Sequence, residues 1–425
     1  MPLPIDDVMA KLKTIVLAAG KGTRMKSNLP KVLHSVCGRP MIEYVLEAVQ
    51  KSGSLKNYVI LGHQIKQVAS RLPSDVEVIH QTKQLGTAHA VKMTKKYFSG
   101  YDGDVLIVCG DTPLLTSRTL NQLISVYRRK KAACAMLTTR IDDPSGYGRI
   151  IRGDKGDFVA VREHKDATSE EKEISEINVG VYCVHSKVLF KALEKVKINP
   201  KKKEYYLTDI IEILHRQNEK VIAVCTEDDE ECLGVNDRID LAAANEVMRY
   251  RCLEKLMLGG VTVVDPASTF VASTTKVGRD TIIYPFTYID GDVVIGRECE
   301  IGPYARIRGG SRINDHVSIG HFTEISRSTI GNGTFMRHFS FVGDAVVGKK
   351  VNIGAGFVSA NFDGKNKNQT RIGDEAFLGS GSICVAPTTV GKKAIVGAGS
   401  VVTSGTRIPN GAVAKGVPAK INRRR

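Results

Sequence analysis

Residues 271–325 read VASTTKVGRDTIIYPFTYIDGDVVIGRECEIGPYARIRGGSRINDHVSIGHFTEI, and their pattern predicts the architecture of the C-terminal half. Ten β-branched residues recur in it at intervals of six: Val271, Val277, Ile283, Ile289, Ile295, Ile301, Ile307, Ile313, Ile319 and Ile325. Neither a helix, with period 3.6, nor an ordinary strand, with period 2, keeps one face apolar at such intervals. The pattern predicts a left-handed parallel β-helix whose three-sided coils contain ~18 residues each.

The same interval returns twice further along the chain. It first appears in a new phase, at Phe335, Phe341, Val347 and Ile353. It then continues through a longer apolar series: Ile372, Leu378, Cys384, Val390, Val396, Val402 and Ile408. The polar residues 361–369, NFDGKNKNQ, lie between these series and predict a loop extruded from the coils. The predicted β-helix has the shape of a three-sided prism and is called the prism below. Such a prism could serve only as a spacer or an oligomerisation stalk, but a long polar loop in a compact domain is more typical of a functional site.

The N-terminal half has a different pattern, in which short apolar segments alternate with helical stretches. Five of these segments are predicted strands, at residues 14–18, 58–61, 76–79, 105–108 and 133–138. Such alternation is typical of a Rossmann-like α/β domain with a mostly parallel sheet. A chain of 425 residues is also longer than one core usually serves. We therefore predict a domain at 1–236, a linker helix at 237–258 and a β-helix domain at 259–425.

Composition narrows the class of protein. The nine cysteines form no CxxC motif, which is typical of reduced thiols in a cytoplasmic protein. Residues 1–7 do not resemble a signal peptide, and no apolar run is long enough to predict membrane insertion. The net charge of +16 could serve nucleic acid, a membrane surface or anionic small substrates. We expect no nucleic-acid partner, because no nucleic-acid-binding module is recognisable.

The strongest chemical motif is LAAGKGTRM at residues 17–25, which follows the first predicted strand. Gly20 and Gly22 would let the backbone turn tightly, with its amides facing a bound anion. Arg24 and Lys31 would add positive charge beside a triphosphate. The spacing fits neither a Walker A loop nor a dinucleotide fingerprint. The motif therefore predicts a phosphate site of another kind.

Further motifs relate the chain to a known family. They are PKVLH at 30–34, QLGTAHA at 84–90, GDTPL at 110–114, GYGRI at 146–150, EHKDA at 163–167, EINVG at 176–180, EYYLTD at 204–209 and GVNDR at 234–238. Together with LAAGKGTRM they resemble the sugar-1-phosphate nucleotidyltransferases. Because a hexapeptide prism follows, nearly the whole chain is similar to the bifunctional bacterial UDP-N-acetylglucosamine pyrophosphorylase/glucosamine-1-phosphate N-acetyltransferases.

The resemblance implies a cytoplasmic enzyme that supplies UDP-N-acetylglucosamine for peptidoglycan and cell-wall synthesis. In that family the prism acetylates glucosamine 1-phosphate with acetyl-CoA. The N-terminal domain then transfers uridylate from UTP to the resulting N-acetylglucosamine 1-phosphate, with Mg²⁺ as cofactor. The resemblance also implies a homotrimer formed through the β-helix, with acetyl-transfer sites shared between neighbouring prisms.

The N-terminal site residues are implied by the same resemblance. The nucleotide is assigned to Leu17, Ala18, Ala19, Gly20, Lys31, Gln81, Gly86 and Thr87. Arg24 and Lys31 are assigned as the catalytic cations on the phosphates, and Asp111 with Asn236 as the magnesium ligands. The N-acetylglucosamine moiety is assigned to Gly148, Glu163, Asn178 and Asn236.

In the prism, His338 matches the family's general base, for which an imidazole is suited because its pKa lies near the operating pH. The sugar phosphate is assigned to Arg308, Asn352, Asn361 and Lys367. Acetyl-CoA is assigned to Ala355, Ser380 and Ala398.

Four positions depart from the family pattern in the prism. Ser326 replaces a phosphate-binding lysine, Phe341 and Phe362 replace tyrosines, and Gly416 replaces an arginine on the coenzyme side. Arg327 follows Ser326, but neighbouring side chains on a strand point to opposite faces, so it would not automatically replace that lysine. We therefore expect acetyl transfer with a weakened hold on the sugar phosphate.

The sequence is compatible with two other hypotheses about function. The chain could be a monofunctional UDP-sugar pyrophosphorylase whose prism is a trimerisation scaffold or acts on another sugar or acyl donor. It could also be a non-catalytic assembly protein, as are some subunits of the eukaryotic translation-initiation exchange factor. The presence of Arg24, Lys31, Asp111 and Asn236 argues against the second of these readings.

Overall fold

The computed structural model describes residues 11–422. The expectation about residues 1–7 therefore lies outside the described residues. The chain divides into two compact units. Within the described residues, one unit contains the chain up to Val36 together with Pro40–Val247, and the other contains Cys37–Arg39 with the chain from Met248 onward. Over residues 11–422, none of the helices combines the length and the apolar character that crossing a bilayer requires.

The strands up to Thr226 are β1 Leu12–Ala18, β2 Ser35–Val36, β3 Arg39–Pro40, β4 Lys56–Leu61, β5 Glu77–His80, β6 Asp104–Cys109, β7 Cys134–Arg140, β8 Arg149–Arg152, β9 Phe158–Arg162, β10 Glu176–His185 and β11 Val221–Thr226. All of them except β2 and β3 belong to one nine-stranded sheet. Its order is β11-β7-β10-β6-β1-β4-β5, to which the β8–β9 hairpin is attached. The pairs β1–β4, β1–β6, β4–β5 and β7–β11 are parallel, whereas β10 runs antiparallel to β6 and β7. The prediction of an α/β domain with a mostly parallel sheet is confirmed.

Helices cover this sheet. The α-helices are α1 Met41–Lys51, α2 Ile65–Ala69, α3 Thr87–Lys92, α4 Ser117–Arg129, α5 Ser169–Lys172, α6 Ser186–Leu193, α7 Asp209–Arg216 and α8 Arg238–Leu258. The short 3-10 helices are Thr23–Met25, Lys31–Leu33, Lys95–Phe98 and Glu230–Cys232. In α1, Ile42, Val45, Leu46 and Val49 recur at three- and four-residue intervals and are all buried. Helix α8 occupies the segment in which the sequence places the linker helix.

The second unit contains three parallel sheets, and the strands of each sheet follow one another along the prism. The first has strands Thr262–Val263, Ile282–Ile283, Glu300–Ile301, Ser318–Ile319, Phe335–Met336, Asn352–Ile353, Phe377–Leu378, Ile395–Val396, Val413–Lys415 and the antiparallel Lys420–Asn422. The second has Phe270–Val271, Tyr288–Ile289, Arg306–Arg308, Thr323–Ser326, Ser340–Gly343, Val358–Ala360, Ile383–Val385 and Val401–Val402. The third has Lys276–Val277, Val294–Ile295, Arg312–Ile313, Thr329–Ile330, Ala345–Val347, Thr370–Ile372, Thr388–Val390 and Arg407–Ile408. The hexapeptide β-helix predicted from the sequence is confirmed.

The hexapeptide ladder forms the core of the prism. Ile283 pairs in register with Ile301, and Ile301 with Ile319, so each coil stacks its apolar residue on the one before. These three side chains are at most 1% exposed. Burying such a side chain contributes about 1.5–3 kcal/mol, and the repetition of this gain along the ladder stabilises the coils.

The phase predicted after residue 325 is wrong by one residue at Phe335 and Phe341, whereas Val347 and Ile353 are buried in the core as predicted. Phe335 is 43% exposed and Phe341 also lies outside the core, whereas Met336 and Val342 are fully buried. From Ile325 the core continues through Ile330, Met336, Val342, Val347 and Ile353. Two of its steps, from 325 to 330 and from 342 to 347, are therefore five residues long instead of six. Large aromatic residues at a six-residue interval suggested the wrong phase. Residues 362–367 are exposed, as expected for an extruded loop, but Asn361 is buried.

Candidate active sites

A cavity of about 610 Å³ opens beside the carboxyl ends of β1, β5 and β6 in the first unit. In α/β sheets this edge is where ligands usually bind. The cavity is lined by all eight residues predicted to bind the nucleotide: Leu17, Ala18, Ala19, Gly20, Lys31, Gln81, Gly86 and Thr87. Asp111 and Glu163 line it as well.

The turn after β1 depends on Gly22 more than on Gly20. Gly22 has φ of +60°, and a Cβ atom there would lie 2.7 Å from the Cβ of Lys31. A Cβ at Gly20 would meet no atom within 4 Å. Gly22 therefore allows both the left-handed turn and the close approach of Lys31, while Gly20 leaves the backbone beside the cavity uncovered.

Two cations and two oxygen donors come together at one point of this site. Lys31 Nζ forms an ion pair with Asp111 Oδ2. Asn236 Oδ1 accepts hydrogen bonds from Arg24 Nη2 at 2.9 Å and from Lys31 Nζ at 3.4 Å. The backbone N–H of Val235 donates to the carbonyl oxygen of Asp111 at 2.9 Å and ties the two donor segments together. Four residues far apart in sequence thus form one polar cluster.

The donors in this cluster fit a magnesium ion. One carboxylate and one amide oxygen, both contacted by the same lysine, are hard oxygen ligands of the kind that Mg²⁺ takes. Over the described residues, no three His, Cys, Asp or Glu side chains come together as a closed metal cage. A sparse pair of oxygen ligands suits Mg²⁺, because this ion keeps several waters and takes further ligands from substrate phosphates.

The buried end of the cavity is organised around Gln81, whose side chain is nearly inaccessible. Its Nε2 atom donates to the carbonyl oxygen of Gly86 at 3.1 Å and lies 3.0 Å from Nδ1 of His89. Burial lowers the pKa of His89, which favours the neutral ring. Gln84 Nε2 donates to the carbonyl oxygen of Ala19 at 2.7 Å. Sequence reasoning missed His89 and Gln84, although both belong to the quoted motif QLGTAHA.

Three of the four predicted sugar-binding residues, Gly148, Glu163 and Asn178, are neighbours in space. A Cβ atom at Gly148 would lie 3.7 Å from Glu163 Oε2 and 3.7 Å from the Cβ of Asn178. Glu163 accepts a hydrogen bond from Thr208 Oγ1 at 3.0 Å, and burial raises the pKa of its carboxyl group. Asn178 Nδ2 donates to the hydroxyl of Tyr182 at 3.2 Å. Of the three, Glu163 lines the cavity itself.

In the prism, the proposed base and the acetyl-CoA residues occupy successive turns at one corner of the coils. The N–H of Gly356, next to Ala355, donates to the carbonyl oxygen of Phe339, next to His338, at 2.6 Å. The same contact repeats from Gly381 to Ala355 at 2.7 Å and from Gly399 to Ser380 at 2.8 Å. The structure therefore brings together His338, Ala355, Ser380 and Ala398.

His338 is exposed on a fixed backbone. Its carbonyl oxygen accepts a hydrogen bond from Ser340 Oγ at 2.9 Å. Its ring lies 5.3 Å from the ring of His321 between centroids, at an interplanar angle of 79°. The sequence analysis missed His321, whose signal is its place one coil before His338 in the same corner.

The predicted sugar-phosphate residues are only partly together. Arg308 lies in the second sheet, where it is in register with Ser326 and Nη1 forms a 3.3 Å ion pair with Glu324. Asn361 Nδ2 donates to Asp344 on the adjoining coil. Asn352 lies in the first sheet, in register with Phe335 and Phe377. Lys367 is exposed in the extruded loop.

The four residues that depart from the family pattern differ in burial and in backbone conformation. Ser326 is 1% exposed, and the ring of Phe341 covers Gly343. Phe362 is 61% exposed at the start of the extruded loop. Gly416 has φ of +102°, a conformation in which the family's arginine would be strained.

Known protein families match segments in both halves of the chain. The nucleotidyl transferase family matches residues 13–234. Bacterial transferase hexapeptide repeats match residues 274–309 and 294–327, and a hexapeptide repeat of succinyl-transferase matches residues 369–404.

Curated relatives match over most of the chain. A protein of Pelotomaculum thermopropionicum named bifunctional protein GlmU is 45% identical over 409 residues, which cover 88% of this chain and 90% of that protein. Proteins of the same name from Listeria monocytogenes and Halalkalibacterium halodurans are 44% and 43% identical. These alignments cover 89% and 90% of this chain, and 90% and 91% of the respective relatives.

Proposed function

The chain belongs to the GlmU family of bifunctional enzymes, and from this premise we propose the substrates and the residues for each of its two activities. Membership confirms the prediction of a uridylyltransferase joined to an acetyltransferase, and it removes the non-catalytic alternative. For the first unit, the proposed reaction is transfer of uridylate from UTP to N-acetylglucosamine 1-phosphate. The observation that carries this assignment is the cluster of Arg24, Lys31, Asp111 and Asn236 beside the 610 Å³ cavity.

The chemistry requires no protein nucleophile. A phosphate oxygen of the sugar phosphate attacks the α-phosphorus of UTP, a P–O bond forms, and the bond to pyrophosphate breaks. Because the attacking phosphate is already ionised, catalysis consists of positioning and neutralisation of charge. Arg24 and Lys31 supply the cations, and Gln81 at the buried end of the cavity orients the uracil. The exposed backbone at Gly20 leaves room for the triphosphate.

Asp111 and Asn236 would hold Mg²⁺, which would supply charge neutralisation at the phosphates when bound. Lys31 contacts both of these side chains, so it holds the two oxygen donors close together. Glu163, Asn178 and Gly148 form the proposed pocket for the N-acetylglucosamine ring. Thr208 fixes the orientation of the Glu163 carboxyl group by its 3.0 Å hydrogen bond.

For the second unit, the proposed reaction is acetyl transfer from acetyl-CoA to the amine of glucosamine 1-phosphate. The amine nitrogen attacks the thioester carbonyl, a C–N bond forms, and the C–S bond breaks to release CoA. His338 takes the proton that the nitrogen loses, and this proton is available to the departing thiolate. Ala355, Ser380 and Ala398 continue the corner that contains His338 and would line the coenzyme.

We further propose that the enzyme acts in the cytoplasm as a homotrimer formed through the β-helix. The hexapeptide repeats support an oligomer, and the nine cysteines without a disulfide suit a reducing compartment. Sedimentation at equilibrium would measure the assembly. A monomer at micromolar concentration would contradict the proposed trimer without affecting the assignment of the N-terminal reaction.

One assay tests both reactions. The purified protein is incubated with glucosamine 1-phosphate, acetyl-CoA, UTP and Mg²⁺, and release of CoA and of pyrophosphate is followed separately. Omitting acetyl-CoA and supplying N-acetylglucosamine 1-phosphate isolates uridylyl transfer. We expect both products from the complete mixture. Pyrophosphate without CoA release would leave a monofunctional pyrophosphorylase, and CoA release without pyrophosphate would overturn the assignment of the first unit.

A further inference from the structure

Arg327 is held against the position where the family has its phosphate-binding lysine. Its Nη1 atom donates to Ser326 Oγ at 2.8 Å. Its Nε and Nη2 atoms donate to the two carboxylate oxygens of Asp344 at 2.7 and 2.8 Å. The guanidinium group is therefore fixed beside Ser326 by three hydrogen bonds, two of them to a carboxylate.

The backbone explains why Arg327 does not point away from its neighbour. Arg327 has φ of +48°, and Asp344, at the equivalent corner of the next coil, also has φ of +48°. Both residues lie on the five-residue steps of the core, from Ile325 to Ile330 and from Val342 to Val347. The alternation of side chains along a strand does not hold through such a corner, so the guanidinium group reaches Ser326.

The remaining donors of Arg327 suit a phosphate. A guanidinium group has five N–H bonds. Asp344 accepts from Nε and Nη2, and Ser326 accepts from Nη1, which leaves one N–H on each of the two Nη atoms. A pair of Nη donors is the arrangement that binds a phosphate edge in a bidentate manner. The Arg327 side chain is 36% exposed, so it lies at the surface of the prism.

The neighbours of Arg327 are residues already assigned to the sugar phosphate. Asn361 Nδ2 donates to the same Asp344 carboxylate, and the charge of Lys367 helps to lower the pKa of that carboxyl group, after the larger effects of Arg327 and Asn361. Arg308 pairs in register with Ser326 itself. Asp344 thus connects Arg327 to Asn361, and Arg308 lies on the adjacent strand next to Ser326.

We propose that Arg327 binds the phosphate of the sugar substrate in place of the lysine absent at position 326, with Asp344 as its positioning residue. The inference rests on the proposed acetyl-transfer function and assigns its phosphate contact. It also changes the expectation from the sequence: Ser326 does not remove the cation from this site, because the cation comes from the next residue along the chain.

The test compares substrates with and without a phosphate. Arg327→Ala should raise the KM for glucosamine 1-phosphate by about tenfold or more, the effect of losing a charged hydrogen bond, with little change in kcat or in the KM for acetyl-CoA. The rate with plain glucosamine should not change, because that sugar has no phosphate. Arg297→Ala is the matched control, since Arg297 also pairs with an aspartate one coil away, at Asp315, but lies at another corner. It should leave all of these constants unchanged.

A second substitution distinguishes a phosphate contact from a structural role. Adding Ser326→Lys to Arg327→Ala should restore most of the lost affinity, whereas Ser326→Lys alone should change the KM by less than about threefold, since the cation is already present. Asp344→Asn should raise the KM in the wild type and have a smaller effect in Arg327→Ala, where only its contact with Asn361 remains. Equal losses with glucosamine and glucosamine 1-phosphate, or no rescue by Ser326→Lys, would overturn the proposal.

Failure of the proposed function would look different. If the wild type releases no CoA with any sugar, the acetyl-transfer assignment fails. Binding of labelled glucosamine 1-phosphate, measured by equilibrium dialysis, then still tests Arg327 by itself. Equal binding by the wild type and Arg327→Ala would overturn the role proposed for Arg327, and weaker binding by the variant would support it.

Discussion

The two domains assemble their candidate sites by opposite means. In the first unit, Arg24, Lys31, Asp111 and Asn236 come from segments as much as 212 residues apart and meet only because the sheet brings its strand ends together. In the prism, Ala355, Ser380 and Ala398 meet because equivalent positions of successive coils stack on one another. A site of the first kind depends on the whole domain, whereas a site of the second kind depends on local register.

An inserted residue should therefore affect the two domains differently. A residue inserted into the prism moves every later position by one and can turn a side chain from the core to the surface. An insertion in a loop of the α/β domain leaves the strand ends where they are. The two five-residue steps of the prism already contain such a one-residue shift, because each is one residue shorter than the regular step. They place Arg327 and Asp344 at a corner and Phe335 and Phe341 outside the core.

The largest effect is expected at the proposed base of the prism. His338→Ala should abolish acetyl transfer and leave uridylyl transfer unchanged, because the two reactions use separate sites. Parallel assays of CoA and pyrophosphate release measure this. His316→Ala, which changes an exposed histidine paired with Glu298, is the matched control. Normal acetyl transfer by His338→Ala would mean that another group takes the proton.

The next effect concerns the metal site of the first unit. Asp111→Asn keeps the shape of the side chain but removes the charge that pairs with Lys31 and would hold Mg²⁺. Uridylyl transfer should fall by about 100-fold or more, since charge neutralisation carries most of this catalysis. A chelator should silence the wild type, and acetyl transfer should persist in the variant. Asp154→Asn, in the exposed β8–β9 turn, is the control. Near-normal uridylyl transfer by Asp111→Asn would place the metal elsewhere.

A smaller effect is expected on the pH dependence of the stability of the first unit, through Asp209. Burial, together with Glu163 and Glu212, raises the pKa of Asp209 to about 6 in the folded chain. The folded state therefore keeps a proton that the unfolded chain loses at lower pH, so stability decreases as pH rises from about 4 to 6. Asp209→Asn should remove this loss and stabilise the protein by about 1 kcal/mol at pH 8, allowing for partial solvent screening.

Calorimetry at pH 4.5 and pH 8 measures this difference. The variant should unfold at a higher temperature than the wild type at pH 8, and the two should nearly coincide at pH 4.5. If the prism has its own transition, that transition should not move. Stabilisation that is the same at both pH values would show that Asp209 affects packing and not protonation.

The smallest effect is expected from removing the prism altogether. A chain of residues 1–250 retains the sheet and every proposed nucleotide and metal ligand, so its kcat for uridylyl transfer should stay within about threefold of the full chain. The circular dichroism of the fragment checks its fold before the assay. A folded fragment without this activity would show that the first site depends on the second unit.

Much of the α/β fold and of its candidate site could be predicted from the sequence. Local apolar segments indicated its strands, and the quoted motifs indicated the residues that line the cavity. What could not be predicted was the local geometry. Gly22, not Gly20, adopts the left-handed turn, and His89 contacts Gln81, because both facts depend on which atoms the folded chain brings within a few ångströms.

The β-helix could be predicted from the amino-acid pattern alone, because a core residue every six positions leaves no other regular structure that buries them all. The sequence also determined which side chains can carry charge and hydrogen bonds. The positions of Phe335 and Phe341 outside the core and the direction of Arg327 became visible in the folded chain, since a five-residue step shifts the coil without altering the apolar character of the sequence. The physical reason is that hydrophobic spacing specifies burial, whereas backbone conformation at each corner specifies where the neighbouring side chain points.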